Sequence, residues 1–145
     1  MSSAPAPQVP QSAPAAPRSA RRLFSATVLS LEAFVVFFAA LAAYGLAAVP
    51  TRHLIVVGSV AALACLVAAG ALRWTAGYVL GWVIQAGLLV AGLMIPEMRV
   101  QFLIVAVVFA LLWVIGLHLG ARIDAERQER YLDELDHAGL PRPSR

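Results

Sequence analysis

The chain has 145 residues, of which 61% are hydrophobic and 13% charged, with a mean hydropathy of +0.80 and a pI of about 9.8. Soluble domains carry about 25% charged residues, so this balance excludes an ordinary water-soluble domain and predicts an integral membrane protein. Nucleic acid is not the expected partner either: all 11 basic residues are Arg, and they flank apolar runs in ones and twos without forming a separate basic face.

Residues 1–20, "MSSAPAPQVPQSAPAAPRSA", hold five of the nine prolines, with Ala, Ser and Gln filling most of the rest. Such a stretch cannot bury enough apolar surface to offset its ordering entropy, so a disordered cytoplasmic tail is expected. It makes a poor signal peptide, because the apolar run behind it is too long and contains Glu32.

Four apolar runs follow, at residues 23–48, 54–72, 75–95 and 100–119. Each is near or above the roughly 20 residues that a helix needs to cross the hydrocarbon. The breaks "VPTRH", "RW" and "PEMR" are short and polar, with Pro50 and Pro96 at positions where a missing N–H costs little. Short connections make consecutive helices antiparallel neighbours. The predicted fold is all-α: a transmembrane domain over 21–121, built as a bundle of four transmembrane helices with short connecting loops.

Arginine counting sets the expected topology. Arg18, Arg21, Arg22, Arg73, Arg122, Arg127, Arg130, Arg142 and Arg145 fall on one face, and only Arg52 and Arg99 on the other. The positive-inside rule then places both termini in the cytoplasm of a multi-pass protein in the plasma membrane. Trp74 falls at an interface, which suits an amphipathic ring.

The segment 122–145 is charged. Arg122–Glu126 and Glu126–Arg130 are i,i+4 pairs that favour continued helix, and Gly139 and Pro141 should stop it. A solvated helical extension is expected, with Tyr131, Leu132 and Leu135 as a weak apolar patch for a cytoplasmic partner.

Chemistry-bearing motifs are scarce. The chain has no Walker loop, no nucleotide fingerprint and no His-Glu-x-x-His, so no catalytic residue and no cofactor is expected. Cys65 is the only cysteine and lies in an apolar run, where it reads as a small packing residue. His53, His118 and His137 lie on different elements at different heights, so they predict no metal site.

Small residues form stripes. Gly77, Gly81 and Gln85 recur every four positions in the third run, with Gly92 seven further on. Ser25, Glu32, Ala39 and Ala43 share a face of the first, and Gly58/Ala62, Ala61/Cys65, Ala106/Ala110 and Gly116/Gly120 recur at four elsewhere. Such faces let helix backbones approach closely in lipid. They predict packing inside one bundle or, as the alternative, a homo-oligomer.

Glu32 is different in kind. Counted from Leu23 it lies roughly 14 Å into the membrane core, and Gln85 counted from Thr75 lies roughly 15 Å in from the same side. Both are therefore near the midplane. No Arg lies at that depth, and a lone carboxylate there is costly to keep ionised. Glu32 is thus expected as a protonated acid that exchanges hydrogen bonds with Gln85 in both directions. Whether it is structural or carries protons stays open.

The segments "RRLFSATVLSLEAFVV", "GYVLGWVIQAGLL" and "LWVIGLHLGARIDAER", in this order, resemble a family of small actinobacterial four-span integral membrane proteins. That family is catalogued only as a domain of unknown function. The resemblance covers about residues 21–127 and rests on Leu31-Glu32-Ala33, Gly81-Trp82 with Gln85, and Arg122-Ile123-Asp124. It implies a fold, a membrane location and genes often beside those for folylpolyglutamate synthase and nucleoside diphosphate kinase, but no activity. Small multidrug transporters are similar in span count and in having a membrane Glu in the first helix. They match poorly elsewhere, and the Arg asymmetry argues against the dual topology known in some of them. The expected function is a non-enzymatic structural or accessory component of the lipid bilayer that packs with itself or with a membrane or cytoplasmic protein. The alternative is a small proton-coupled transporter using Glu32.

Overall fold

The computed structural model describes residues 15–45, 51–94, 96 and 99–142. Residues 1–14, 46–50, 95, 97–98 and 143–145 lie outside the described residues, as do the side chains at 43 and 51–54, Arg52 and His53 among them. Four helices occur in the order α1 (Ala20–Gly45), α2 (Thr51–Ala71), α3 (Thr75–Met94) and α4 (Arg99–His137). No strand is found among the described residues. Three helices are long and apolar enough to cross a membrane, over Ala20–Ala42, Thr75–Met94 and Arg99–His137, while Ile55–Ala71 is a shorter apolar helix.

The helices form a closed ring. α1 packs on α2 and α4, and α3 packs on α2 and α4. α1 and α3 therefore face each other across the diagonal. Lipid-type packing decides which residues point inward. In α4 the buried residues Ala106, Phe109, Trp113, Gly116 and Gly120 are spaced by alternating threes and fours. That is the seam of helices crossing at a shallow angle. In α3 the inward stripe is Gly77, Gly81, Gln85 and Gly92.

The connection from α2 to α3 is tight. Ala71 accepts from the Trp74 amide at 2.9 Å, and Trp74 accepts from the Gly77 amide at 3.1 Å. A Cβ on Gly77 would collide with the Ala71 carbonyl and the Leu72 amide, so this turn needs glycine there. Arg73 lies over the Trp74 ring, 4.0 Å from its centroid.

α4 is the longest element, at 39 residues. At about 1.5 Å per residue, roughly half of it extends beyond any bilayer core. It ends at a glycine cap. Gly139 has φ 66°, Leu140 donates to the Leu135 carbonyl at 2.9 Å, and Gly139 donates to the Asp136 carbonyl at 3.1 Å. This paired arrangement satisfies the last carbonyls of the helix. One expected ion pair is different. Arg122 bridges Glu126 at 3.3 Å, whereas Arg130 donates to the Glu126 backbone carbonyl and leaves its carboxylate.

The extension is not simply solvated. Its first turn docks on the start of α1. Asp124 accepts from Ser19 Oγ at 2.7 Å, from the Ala20 amide at 2.5 Å and from the Arg21 amide at 3.2 Å. Ser19 Oγ in turn accepts from the Arg22 amide at 3.2 Å. The three amides that open α1 are all satisfied, two of them by a carboxylate from the far end of the chain. Burial pushes the Asp124 carboxyl up, but the hydrogen bonds from Ser19, Ala20 and Arg21 and the nearby Arg127 charge outweigh it and hold the group below its ordinary range. Arg127 also donates to the Arg18 carbonyl at 3.3 Å.

Candidate functional site

The half of the bundle at the start of α1 is filled. Val28, Leu29, Ala68, Leu72, Phe109 and Trp113 form one buried cluster. Trp113 is the largest fully buried side chain, and its ring lies where a Cβ on Gly81 would have to sit. The Arg21 guanidinium lies over the Tyr78 ring, 4.5 Å from its centroid, at the same end of the bundle. Gly120 lets α4 meet the backbone of Arg21, and Ala20 is buried beside it.

Above this plug the diagonal is bridged. Gln85 Nε2 of α3 donates to both carboxylate oxygens of Glu32 of α1, at 2.9 Å each. Both side chains are all but fully buried, at 1% and 2% exposure. The two residues predicted from depth alone therefore meet, because equal rise per residue along two helices brings equal counts to equal height. The direction of bonding differs from the expected exchange. The amide nitrogen is shared between the two oxygens, so Gln85 Oε1 turns away and has no partner in the structure.

The other half of the bundle is hollow. A cavity of about 460 Å³ lies between all four helices, lined by Val35, Val57, Ala61, Leu88, Phe102 and neighbouring apolar residues. Glu32, Cys65, Ile84 and Phe109 are the lining residues closest to the filled half, so they form its inner end. Glu32 carries the only carboxylate among the described residues lining it.

The glycine candidates separate by neighbour. Gly77 faces the end of α2, Gly81 faces Trp113 of α4, and a Cβ on Gly92 would lie 3.3 Å from Leu103 of α4. All three therefore serve contacts within this chain. Ser25, on the Glu32 face of α1, is buried with no partner for its hydroxyl. The histidines are not brought together. Val114 accepts from His118 Nδ1 at 3.0 Å and Asp133 accepts from His137 Nδ1 at 2.7 Å, both at exposed positions. No group of three or more His, Cys, Asp or Glu side chains that could hold a metal occurs among the described residues.

Two contributors escaped the sequence reading. Trp113 reads as one more apolar residue in a long run, and only its three-and-four spacing to Phe109 and Gly116 hints at the seam. Asp124 reads as a charge on a solvated helix. The available signal was the lack of any acidic residue in the first turn of α1, which leaves its amides to be capped from elsewhere.

Comparison with curated proteins and with solved structures found no match. A family model does match residues 22–129, from the start of α1 through the part of α4 that holds Asp124. The chain therefore belongs to the family described as "Protein of unknown function (DUF4233)".

Proposed function

We propose that this chain is a non-enzymatic, multi-pass component of the plasma membrane, with four transmembrane helices and cytoplasmic termini, that acts through helix packing with itself or a protein partner. The observation that carries the reading is how its membrane-embedded polar and small residues are used. Glu32 and Gln85 bond to each other, and Gly77, Gly81 and Gly92 receive neighbours of the same chain. The outward faces carry large apolar side chains, among them Phe34, Phe38, Leu63, Val83, Ile104 and Leu111. Such a surface suits lipid or an apposed helix. Crosslinking in native membranes followed by mass measurement tests this. A covalent self-adduct or a reproducible partner adduct is the expected result, and an isolated monomer at native abundance would overturn it.

A second reading is favoured by the cavity. A carboxylate at the inner end of a hollow half-bundle suits a small proton-coupled transporter using Glu32, since intramembrane ionisable groups commonly mark such pathways. Proton flux in liposomes that wild type shows and Glu32→Gln loses would establish it. Absence of flux from wild type would remove it.

A further inference from the structure

The hollow half of the bundle is apolar throughout. Its walls are Val, Ala, Ile, Leu, Phe and Gly, and the two other residues, Glu32 and Cys65 at the inner end, are closed to it. Each is 1% exposed, and both Glu32 oxygens accept from Gln85. Water needs roughly two to four polar partners, so it does not fill such a space. Left empty, a volume of about 460 Å³ would deprive the lining side chains of dispersion contacts on one side, and packed interiors hold few voids larger than a water molecule. The walls therefore call for an apolar guest. The cavity also has the depth of one leaflet. Phe102, Ala106 and Phe109 line it from one side of α4, and Arg99 stands one turn before Phe102 on that side. From Arg99 to Phe109 the helix rises roughly 15 Å, and half of the hydrocarbon core is also about 15 Å. A chain that reaches from headgroup level to the midplane thus runs from Arg99 to the closed inner end. Arg99 is exposed, and a guanidinium is the planar fork that binds phosphate through paired hydrogen bonds.

We propose that the cavity is a phospholipid site: one acyl chain lies inside with its end against Ile84 and Phe109, and the phosphate sits on Arg99. The chain enters between α2 and α3, past Val57, Gly87 and Ala91, which line the cavity and are exposed. The site rests on the membrane location proposed above and on neither role offered there, since it uses no titrating group and takes a lipid from whichever leaflet holds Arg99.

The test is native mass spectrometry of the full chain, delipidated in detergent and titrated with palmitoyl-oleoyl-phosphatidylglycerol, with palmitic acid as the headgroup control. One phospholipid per chain should bind saturably, and the fatty acid should not displace it. Arg99→Gln should weaken binding at least fivefold with unchanged helix content. Gly87→Phe should abolish it, because a Cβ there meets nothing within 4 Å and the ring can enter the cavity without moving a neighbour. Gly70→Phe, equally open at its Cβ but away from the cavity lining, should bind as wild type does. Location is read separately in bilayers, with a phospholipid that carries a diazirine at the end of one chain. Adducts are expected on Ile84 and Phe109 and should exceed those on the outward Val83 and Val90. No bound lipid, equal binding in Arg99→Gln or Gly87→Phe, palmitic acid retained in place of the phospholipid, or adducts confined to outward residues would overturn the proposal. A chain stripped from native membranes by alkaline carbonate would overturn the membrane reading and the site together. A chain that stays in the membrane and binds no lipid overturns the site alone.

Discussion

Glu32 keeps both oxygens on one amide nitrogen, and no cation occurs among the described residues that line the cavity with it. This makes Gln85 the partner that decides the consequence of each substitution. Glu32→Gln retains an acceptor for Gln85 Nε2 and adds a donor that the unpartnered Gln85 Oε1 can use, so thermal stability in detergent should change little. Glu32→Leu and Gln85→Leu should each cost about 0.6 kcal/mol and at most roughly 2. The double variant should cost less than the sum, because the second substitution removes a group already orphaned. Additive losses in this cycle would refute the contact. Asp124 gives the second residue-scale prediction. Asp124→Asn should lower stability by about 0.5–2 kcal/mol, toward the low end because the site is partly solvated. Its folded carboxyl titrates below the ordinary 3.8. The contribution is therefore complete above that value and fades as pH falls through the lower folded value. Melting curves of the two proteins should differ at neutral pH and converge in acid; a gap that widens in acid would reverse the assignment.

At the scale of the helices, glycine is required where a backbone meets another backbone, a ring, or, at Gly58, the Cβ of Ala40. A Cβ on Gly120 would collide with the Arg21 backbone, which has no rotamer to yield. Gly120→Ala should therefore separate α4 from the start of α1 and cost about 1–3 kcal/mol, along with part of the Asp124 contact. Gly70 has nothing within 4 Å of a built Cβ. Gly70→Ala should be neutral or stabilise by about 0.5–1 kcal/mol, since alanine is the better helix former. Melting temperatures of the two variants should move in opposite directions, and parallel shifts would mean that helix propensity alone governs both. Gly81→Ala belongs with Gly120→Ala, because the Trp113 ring is fully buried and has little room to move.

For the molecule as a whole, the two ends of the bundle differ. The end at the start of α1 is packed solid around Trp113 and tied by Asp124, whereas the opposite half is hollow. Under the proposed topology, which the positive-inside rule motivates, the filled end faces the cytoplasm. Topology reporters fused after Ser19 and after Arg145 should both report cytoplasmic locations. Periplasmic signal from either would invert the bundle and turn the cavity toward the cytoplasm. Mixed signal would mean that both orientations coexist.

The helical class and the four apolar runs were legible because hydropathy is a property of the chain in one dimension. A helix satisfies its own backbone within each run, so no neighbour is needed to recognise it. The shared depth of Glu32 and Gln85 was legible for a similar reason: the rise per residue is constant, and counting suffices. The Gly77–Gly81–Gln85–Gly92 stripe was visible as spacing, but its partners were not. In an Ala-rich chain many rotations of a helix about its axis offer a small-residue face, and only packing of all four selects one. That selection sets Glu32 opposite Gln85 across the diagonal, places Trp113 over Gly81, and hollows the half where Ala39, Ala61 and Ala91 leave space unfilled. It also brings Asp124 to the amide of Ala20, 104 residues away in sequence. The length and lipid-facing character of the elements thus belong to the sequence read alone. The closed end, the cavity and the capping carboxylate arise only in three dimensions, because each depends on how helices distant in sequence are rotated against one another.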